Sequence, residues 1–149
     1  MTADAREIGV GGFVVDASIA LSWCFEDETS PLTDAVLQRL MRVPALAPGI
    51  WPLEVANGLR SAERRGRIDE QSIPAATQLL MALPIHVDES IGLEPALGRV
   101  LHLARTVGLT AYDATYLDLA TRRGLPLATA DEQLARAARA VGVELVESG

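Results

Sequence analysis

The sequence predicts an α/β fold in a single domain, residues 1–149, with a mostly parallel central sheet covered by helices on both faces. Two observations predict it. From Gly12 onward, short apolar runs alternate with longer segments whose apolar residues recur at helical spacing. Strands that alternate with helices indicate parallel pairing, because each helix carries the chain back across the sheet. No repeat or linker divides the chain, and an apolar content of 49% over 149 residues suits one core.

Five short apolar runs have the character of strands, so we predict a five-stranded sheet. Prolines introduce or begin three of the runs, which is typical of strand starts and edges. The predicted strands are residues 13–15, 45–47, 84–87, 127–129 and 144–146.

About seven helices are predicted to flank this sheet. Gly66 and Gly124 each follow arginines, a pattern that indicates the end of a helix. Residues 1–11 precede the first strand, and we expect a flexible N-terminal extension there. The predicted helices are residues 19–25, 32–42, 52–65, 70–82, 91–107, 112–123 and 131–141.

Composition narrows the function. No segment approaches the roughly 20 apolar residues of a membrane-spanning helix, and no signal-peptide pattern begins the chain, so we expect a cytoplasmic protein without membrane association. The net charge of −7 argues against binding nucleic acid through a broad basic surface. All 13 lysine or arginine positions are arginine, which excludes phosphate-binding loops and Schiff-base chemistry that require lysine.

Four acidic residues stand where α/β folds present ligands. Asp16 and Asp131 follow predicted strands, whereas Glu54 and Asp113 lie in the first turns of predicted helices. Ligands of open sheets bind beyond the carboxyl ends of strands where the strand order reverses, so Asp16 and Asp131 would share a crevice if the first and fourth strands are neighbours. Carboxylates gathered there repel one another unless a cation is present, and hard oxygen ligands suit Mg²⁺ or Mn²⁺.

Three of these acids also have a structural interpretation. Asp131 fits a helix N-cap, or Thr129 and Glu132 could form a capping box there. The two acids in first turns are favoured by the helix dipole. Asp16 has no such explanation, because a carboxylate at the mouth of a buried strand would lose hydration without an evident basic partner.

A cluster of arginines lies on the helix that carries Glu54. Arg60, Arg64, Arg65 and Arg67 could be a solvated helix end that stabilises the carboxyl terminus of the helix. Alternatively, they could guide a phosphate backbone past the acids without reading its sequence.

Each of the four acids stands in a longer stretch of characteristic sequence. The stretches are Phe13–Ser18, Pro48–Asn57, Thr110–Leu117 and Leu127–Leu134. Together they resemble the PIN-domain family, and specifically the VapC-type toxins of bacterial toxin–antitoxin pairs. They stand in the order of the family, and the resemblance extends from Phe13 to Val146.

The resemblance implies a PIN-like fold and a metal-dependent endoribonuclease that hydrolyses RNA phosphodiester bonds. It also implies one or two Mg²⁺ or Mn²⁺ ions, a small cognate antitoxin and a homodimer. No role carries over to Asp118 or to residues 1–11. The implied catalytic and metal-binding residues are Asp16, Glu54, Asp113 and Asp131, the supporting residues are Ser18, Asn57 and Thr129, and the possible RNA contacts are Arg60, Arg64 and Arg65.

Two other functions remain open from the sequence. The acids could be helix caps in a non-catalytic, acidic protein-binding module. Alternatively, a strand-end acid such as Asp16 could accept a phosphoryl group in a Mg²⁺-dependent signalling domain. The absence of lysine disfavours the second alternative, because no lysine could bridge to the phosphoryl group.

Overall fold

The computed structural model describes residues 12–148. The predicted N-terminal extension, residues 1–11, lies outside the described residues. Within the described part, a four-stranded sheet has the order β3-β2-β1-β4, and every pair of neighbouring strands is parallel. The strands are β1 (Phe13–Val15), β2 (Ala45–Ala47), β3 (Ile85–Val87) and β4 (Leu127–Ala128).

The prediction of a fifth strand at residues 144–146 is wrong. This segment runs beside β4 but forms a single parallel bridge, between Leu127 and Leu145. Two hydrogen bonds of 2.9 Å hold it, from Leu127 N to Glu144 O and from Val146 N to Leu127 O. Because β4 is only two residues long, it offers too little backbone on this side for a further strand.

Seven helices flank the sheet among the described residues, in close agreement with the predicted positions. Local signals start several of them: Ser30 and Thr33 form a capping box before a helix with proline in its first turn, and Thr110 caps a later helix. The helices are α1 (Ala17–Ser22), α2 (Pro31–Leu40), α3 (Trp51–Arg64), α4 (Ile73–Ala82), α5 (Leu101–Val107), α6 (Ala111–Arg123) and α7 (Glu132–Ala140).

The long helix predicted at residues 91–107 is interrupted. A short turn, Leu93–Pro95, leads into a π-helical segment, Ala96–Val100, before α5 begins. Pro95 lacks the N–H of a regular helix, which is consistent with irregular geometry at this point.

The apolar residues of the sheet divide between two faces. Val14 and Leu46 pack with residues of α3, α6 and α7, whereas Phe13 and Val15 pack with α2 on the opposite face. This division follows from the alternation of side chains along a strand. The sheet is therefore covered on both sides, as predicted, and no helix among residues 12–148 is long and apolar enough to cross a membrane.

Asp118 of α6 is buried within an ion-pair network. Its two carboxylate oxygens accept hydrogen bonds of 2.8 Å from Arg99 Nε and 2.9 Å from Arg122 Nε. Arg122 also reaches Asp88, just after β3, at 3.5 Å. The network fastens the π-helical segment to α6 and explains why a buried acid is tolerated there.

Candidate functional site

Asp16 lies at the carboxyl end of β1, where the strand order reverses between β1 and β4. Only 4% of its surface is exposed. Its backbone N–H donates to Ala128 O of the neighbouring strand at 3.1 Å. Its Oδ1 caps α1 by accepting from Ile19 N at 3.1 Å. The first and fourth strands are therefore neighbours, which was the condition for a shared crevice, and their pairing brings the carboxyl ends of both strands together.

Two hydroxyl groups hold the Asp16 carboxylate. Ser18 Oγ donates to Asp16 Oδ1 at 2.6 Å and accepts from Ala130 N at 3.2 Å. Thr129 Oγ1 donates to Asp16 Oδ2 and accepts from Asp131 N at 3.0 Å. Both hydroxyls thus join the segment that follows β1 to the segment that follows β4. Ser18 and Thr129 are two of the three residues named from the sequence as supporting residues. Their role toward a metal ligand stays a prediction.

The environment of Asp16 favours the protonated carboxyl group. Burial raises its pKa to about 6, although hydrogen bonds from Ser18, Thr129 and the Ile19 backbone act in the opposite direction. The charge of Asp131 adds a smaller upward contribution to the pKa. The hydrogen bonds therefore fix the position of an ionised Asp16, but they only partly offset the cost of burying its negative charge.

Glu54, in the first turn of α3, accepts a hydrogen bond of 2.5 Å from the hydroxyl of Tyr116 on α6. Burial raises the pKa of Glu54, the bond from Tyr116 lowers it, and the charge of Asp113 raises it. Tyr116 is itself buried, and its pKa is raised by burial and then by Glu54, so its hydroxyl stays protonated and donates.

Tyr116 is a supporting residue that the sequence analysis missed. It lies three positions after Asp113, on the same side of α6, and this spacing was the available signal. Asn57, which was expected to support Glu54, is instead exposed on α3. Within the described chain, no hydrogen bond joins Asn57 to Glu54.

Asp113 and Asp131 both stand at helix starts. The N–H of Asp113 donates to Thr110 Oγ1 at 3.1 Å, so the start of α6 is capped through the Asp113 backbone, and the Asp113 carboxylate is half-buried. Burial and the charge of Asp131 raise the pKa of Asp113, against a lowering contribution from Thr110.

Asp131 is the N-cap of α7, as its structural interpretation predicted. Its Oδ1 accepts from Gln133 N at 2.8 Å and from Leu134 N at 3.2 Å. The alternative capping box does not form, because the Thr129 hydroxyl bonds to Asp16 and to the backbone of Asp131 instead.

The four acids are electrostatically linked in a series. Glu54 is coupled to Asp113, Asp113 to Asp131, and Asp131 to Asp16. Carboxylate oxygens in this arrangement are chemically suited to a hard divalent cation. Within residues 12–148, however, no three histidine, cysteine, aspartate or glutamate side chains come together closely enough to hold a single ion.

Three of the four acids are each held by hydrogen bonds of their own. Asp16 is held by hydroxyls, Glu54 by Tyr116, and Asp131 by the backbone of α7. Mg²⁺ commonly binds through one or two carboxylates and retains several waters, so the donor set fits such an ion with other acids interacting through water. The four residues therefore fit the ion by the chemistry of their oxygens and by their shared charge.

The predicted RNA contacts lie toward the end of α3, beyond Glu54. Arg60, Arg64 and Arg65 line a hollow of about 390 Å³ together with Asn57 and Ser61. Arg60 is paired with Glu63 at 3.0 Å on the same helix. The structure therefore places these arginines beside one another and leaves their contact with RNA a prediction.

Comparison with known proteins agrees with this architecture. The PIN domain family matches residues 13–140. Ribonuclease VapC3 of Mycobacterium tuberculosis is 36% identical over 132 residues, which cover 87% of this chain and 91% of that protein. Ribonuclease VapC1 of the same species is 37% identical over 91 residues, covering 61% of this chain and 65% of that protein.

A solved structure shows the same fold. The crystal structure of PAE2754 from Pyrobaculum aerophilum aligns with a TM-score of 0.64 at 25% sequence identity, covering 87% of each chain. The similarity in fold and the match over most of the sequence lead to the same assignment. This chain belongs to the PIN domain family and is of the VapC type.

Proposed function

We propose that this chain is an endoribonuclease that hydrolyses RNA phosphodiester bonds with Mg²⁺ or Mn²⁺, and that it is the toxin of a type II toxin–antitoxin pair. The observation that carries the proposal is that Asp16 and Asp131 follow the neighbouring strands β1 and β4, where the strand order reverses. Glu54 and Asp113 lie in the first turns of α3 and α6. The ribonuclease names of the curated relatives support the choice of RNA as substrate.

The four acids would hold one or two divalent ions. Such an ion, when bound, lowers the pKa of water and offsets negative charge on the phosphate. Asp16 is suited to a fixed position, because Ser18, Thr129 and the Ile19 backbone restrict its carboxylate. Tyr116 orients Glu54 in the same way from α6.

Asp113 is best suited to accept the proton of the attacking water. Among the described residues no backbone N–H donates to the Asp113 carboxylate, whereas Asp131 Oδ1 accepts two hydrogen bonds from the backbone of α7. Burial and the charge of Asp131 raise the pKa of Asp113 in the protein without a bound cation. Attack by water does not use the ribose 2′-hydroxyl. If the P–O3′ bond breaks and the 3′-oxygen leaves with a proton, the products carry a 5′-phosphate and a 3′-hydroxyl. Because RNA is the substrate, the proposed site of action is the cytoplasm.

The first prediction concerns cleavage. Total bacterial RNA incubated with the chain and Mn²⁺ or Mg²⁺ should be cut at discrete positions, and EDTA should abolish the cuts. Asp113→Asn should lower the rate by two orders of magnitude or more, about the size expected for loss of a general base. End mapping of the fragments measures the products. Fragments with 2′,3′-cyclic phosphate ends would refute the mechanism.

The second prediction concerns metal binding and separates a nuclease from an acidic binding module. Mn²⁺ at about 100 times its Kd should stabilise the folded protein by about 2.7 kcal/mol, measured as a rise in Tm. Asp113→Asn should reduce this rise, and without metal it should melt no lower than the unchanged protein because carboxylate repulsion falls.

Asp118→Asn is the matched control for the metal experiment, since Asp118 lies on the same helix. It should lose roughly 1–2 kcal/mol of stability with the bonds from Arg99 and Arg122. It should nevertheless keep the full Mn²⁺-dependent rise in Tm. Absence of any rise in the unchanged protein would favour the binding module with its acids acting as caps.

A small cognate antitoxin is the proposed protein partner. The VapC relationship supports it, and so does the charge of the site: no arginine of the described chain pairs with any of the four acids. A basic side chain of a partner could occupy the same acidic crevice and block the approach of RNA.

The third prediction tests toxicity. Expression of the chain alone in growing bacteria should arrest growth, whereas Asp113→Asn should not, because arrest requires cleavage. Growth curves after induction, with both proteins quantified in the cells, provide the measurement. Accumulation of fully active protein at high yield in cells that keep growing would argue against a toxin.

A homodimer is the proposed assembly, and an exposed apolar row supports it. Leu93, Leu97 and Leu101 are spaced four residues apart and are exposed by 75%, 62% and 41%. Leucines this exposed in a regular row are typical of a surface that another chain covers.

The fourth prediction tests this surface. Leu97→Arg should convert a dimer to a monomer, because the charge would be buried between the two copies. Light scattering during gel filtration measures the mass. Met41→Arg, at an exposed position after α2, is the control and should leave the dimer intact. A monomeric unchanged chain would show that the dimer proposal is wrong.

A further inference from the structure

A line of polar side chains runs along one face of α3, starting at Glu54. At about 100° per residue, Ser61 and Arg65 each lie about 20° from Glu54 around the helix axis, and Asn57 lies about 60° away. Arg60 lies about 120° away by the same measure. Among the arginines predicted to contact RNA, Arg65 is therefore the one aligned with the candidate site.

A groove between α1 and α3 runs beside this line. It has a volume of about 460 Å³, within the range of ligand pockets. Its lining includes Ser18 and Ala130, which belong to the network around Asp16. Arg65 and Arg67 also line it. The groove therefore connects the surroundings of Asp16 with the basic end of α3.

Close packing of the two helices forms part of the groove wall. A Cβ on Gly58 of α3 would lie 2.3 Å from Leu21 Cδ1 of α1, so a larger residue here would require the Leu21 side chain to move. Ser61 and Arg65 line both this groove and the hollow of about 390 Å³ that also contains Arg64. They therefore stand on the ridge between the two depressions.

The charges along the groove differ in their availability. Arg67 pairs with Asp27 at 3.0 Å and Glu28 at 2.9 Å, and its guanidinium lies 4.9 Å from the ring centre of Phe25. Glu28 also lines the groove, so Arg67 offsets an acid that would otherwise repel a phosphate. Arg65 is exposed, and within residues 12–148 it forms no ion pair.

We propose that the groove between α1 and α3 binds single-stranded RNA adjacent to the cleavage position, with Arg65 contacting a backbone phosphate other than the one that is cut. This subsite rests on the proposed ribonuclease function and specifies how its substrate is held. Arg65 follows Glu54 by 11 residues, or about 16 Å along the helix at 1.5 Å per residue. That separation is too long for both side chains to act on the same phosphate.

Arg65 is thus a positioning residue that contributes affinity without reading bases. Its contact should be visible in the salt dependence of binding, because each phosphate neutralised on a single strand contributes about 0.7 to the slope of log K against log salt. The probe is a fluorescein-labelled oligouridylate of about twelve nucleotides, within the usual range for single-strand binding sites. Fluorescence anisotropy in Mg²⁺, with Asp113→Asn as the background, measures binding without cleavage.

Adding Arg65→Gln should weaken binding and lower the slope by about 0.7, and Arg65→Lys should restore most of the slope because the charge returns. Arg42→Gln is the control of equal charge change. Arg42 is exposed and precedes β2, so it lies at the amino ends of the strands, whereas Asp16 and Asp131 follow carboxyl ends. The salt dependence of binding should therefore be unchanged in Arg42→Gln. An unchanged slope in Arg65→Gln, an equal loss in Arg42→Gln, or no binding by the Asp113→Asn background would overturn the proposal.

Cleavage kinetics separate this inference from the proposed function. With Asp113 intact, Arg65→Gln should raise KM for total bacterial RNA and leave kcat nearly unchanged. The reason is that the lost contact stabilises the bound substrate and the transition state equally. Binding that depends on Arg65 without any cleavage would support the subsite and refute the nuclease. Cleavage with a KM that is insensitive to Arg65 would refute the subsite alone.

Discussion

The parallel pairing of β1 with β4 is the constraint on which the rest of the site depends. It places the exits of two strands side by side, and Asp16 is buried at that junction with 4% exposure. The cost of burying a carboxylate is offset by bonds from Ser18, Thr129 and the Ile19 backbone, one of which crosses from the β4 side. The same bonds that make Asp16 tolerable therefore also fix the relative positions of the chain segments that follow both strands.

All four acids of the series stand at helix starts, and this explains how they coexist. Asp16 caps α1 and Asp131 caps α7, while Glu54 and Asp113 lie in the first turns of α3 and α6. The positive end of each helix dipole favours a nearby carboxylate. Capping and ligand binding are consequently compatible at these positions. A carboxylate that caps a helix uses only some of its oxygen lone pairs, and the others are available to bind a ligand. The structural and functional interpretations of Asp131 are not exclusive.

The features that could be predicted from sequence are those set by local patterns. Strand positions, helix starts and the positions of the acids after strands or in first turns follow from runs of a few residues, and the parallel pairing of the sheet follows from the alternation of strands and helices. The contact between Tyr116 and Glu54 could not be predicted in this way, because the two residues are 62 positions apart. The ion pair between Asp118 and Arg99 was likewise not predicted, because Arg99 is 19 positions away on a separate segment. The supposed fifth strand had a suitable apolar pattern, but the short β4 could not pair along it.

The distribution of arginine indicates which acids the chain neutralises internally. Asp118 receives two arginines, Asp27 and Glu28 share Arg67, and Glu63 receives Arg60. Within the described chain, the acids of the coupled series receive none. Asp113 and Asp118 make the contrast on one helix: five positions apart and on different sides of α6, the first has a pKa raised by burial and by Asp131, while the second is enclosed by guanidinium groups. Because Asp118 is paired with arginine and the acids of the series are not, negative charge remains at the series that an external group could compensate. A divalent ion and a basic side chain of a partner protein both meet this requirement, so catalysis and inhibition would draw on the same uncompensated charge.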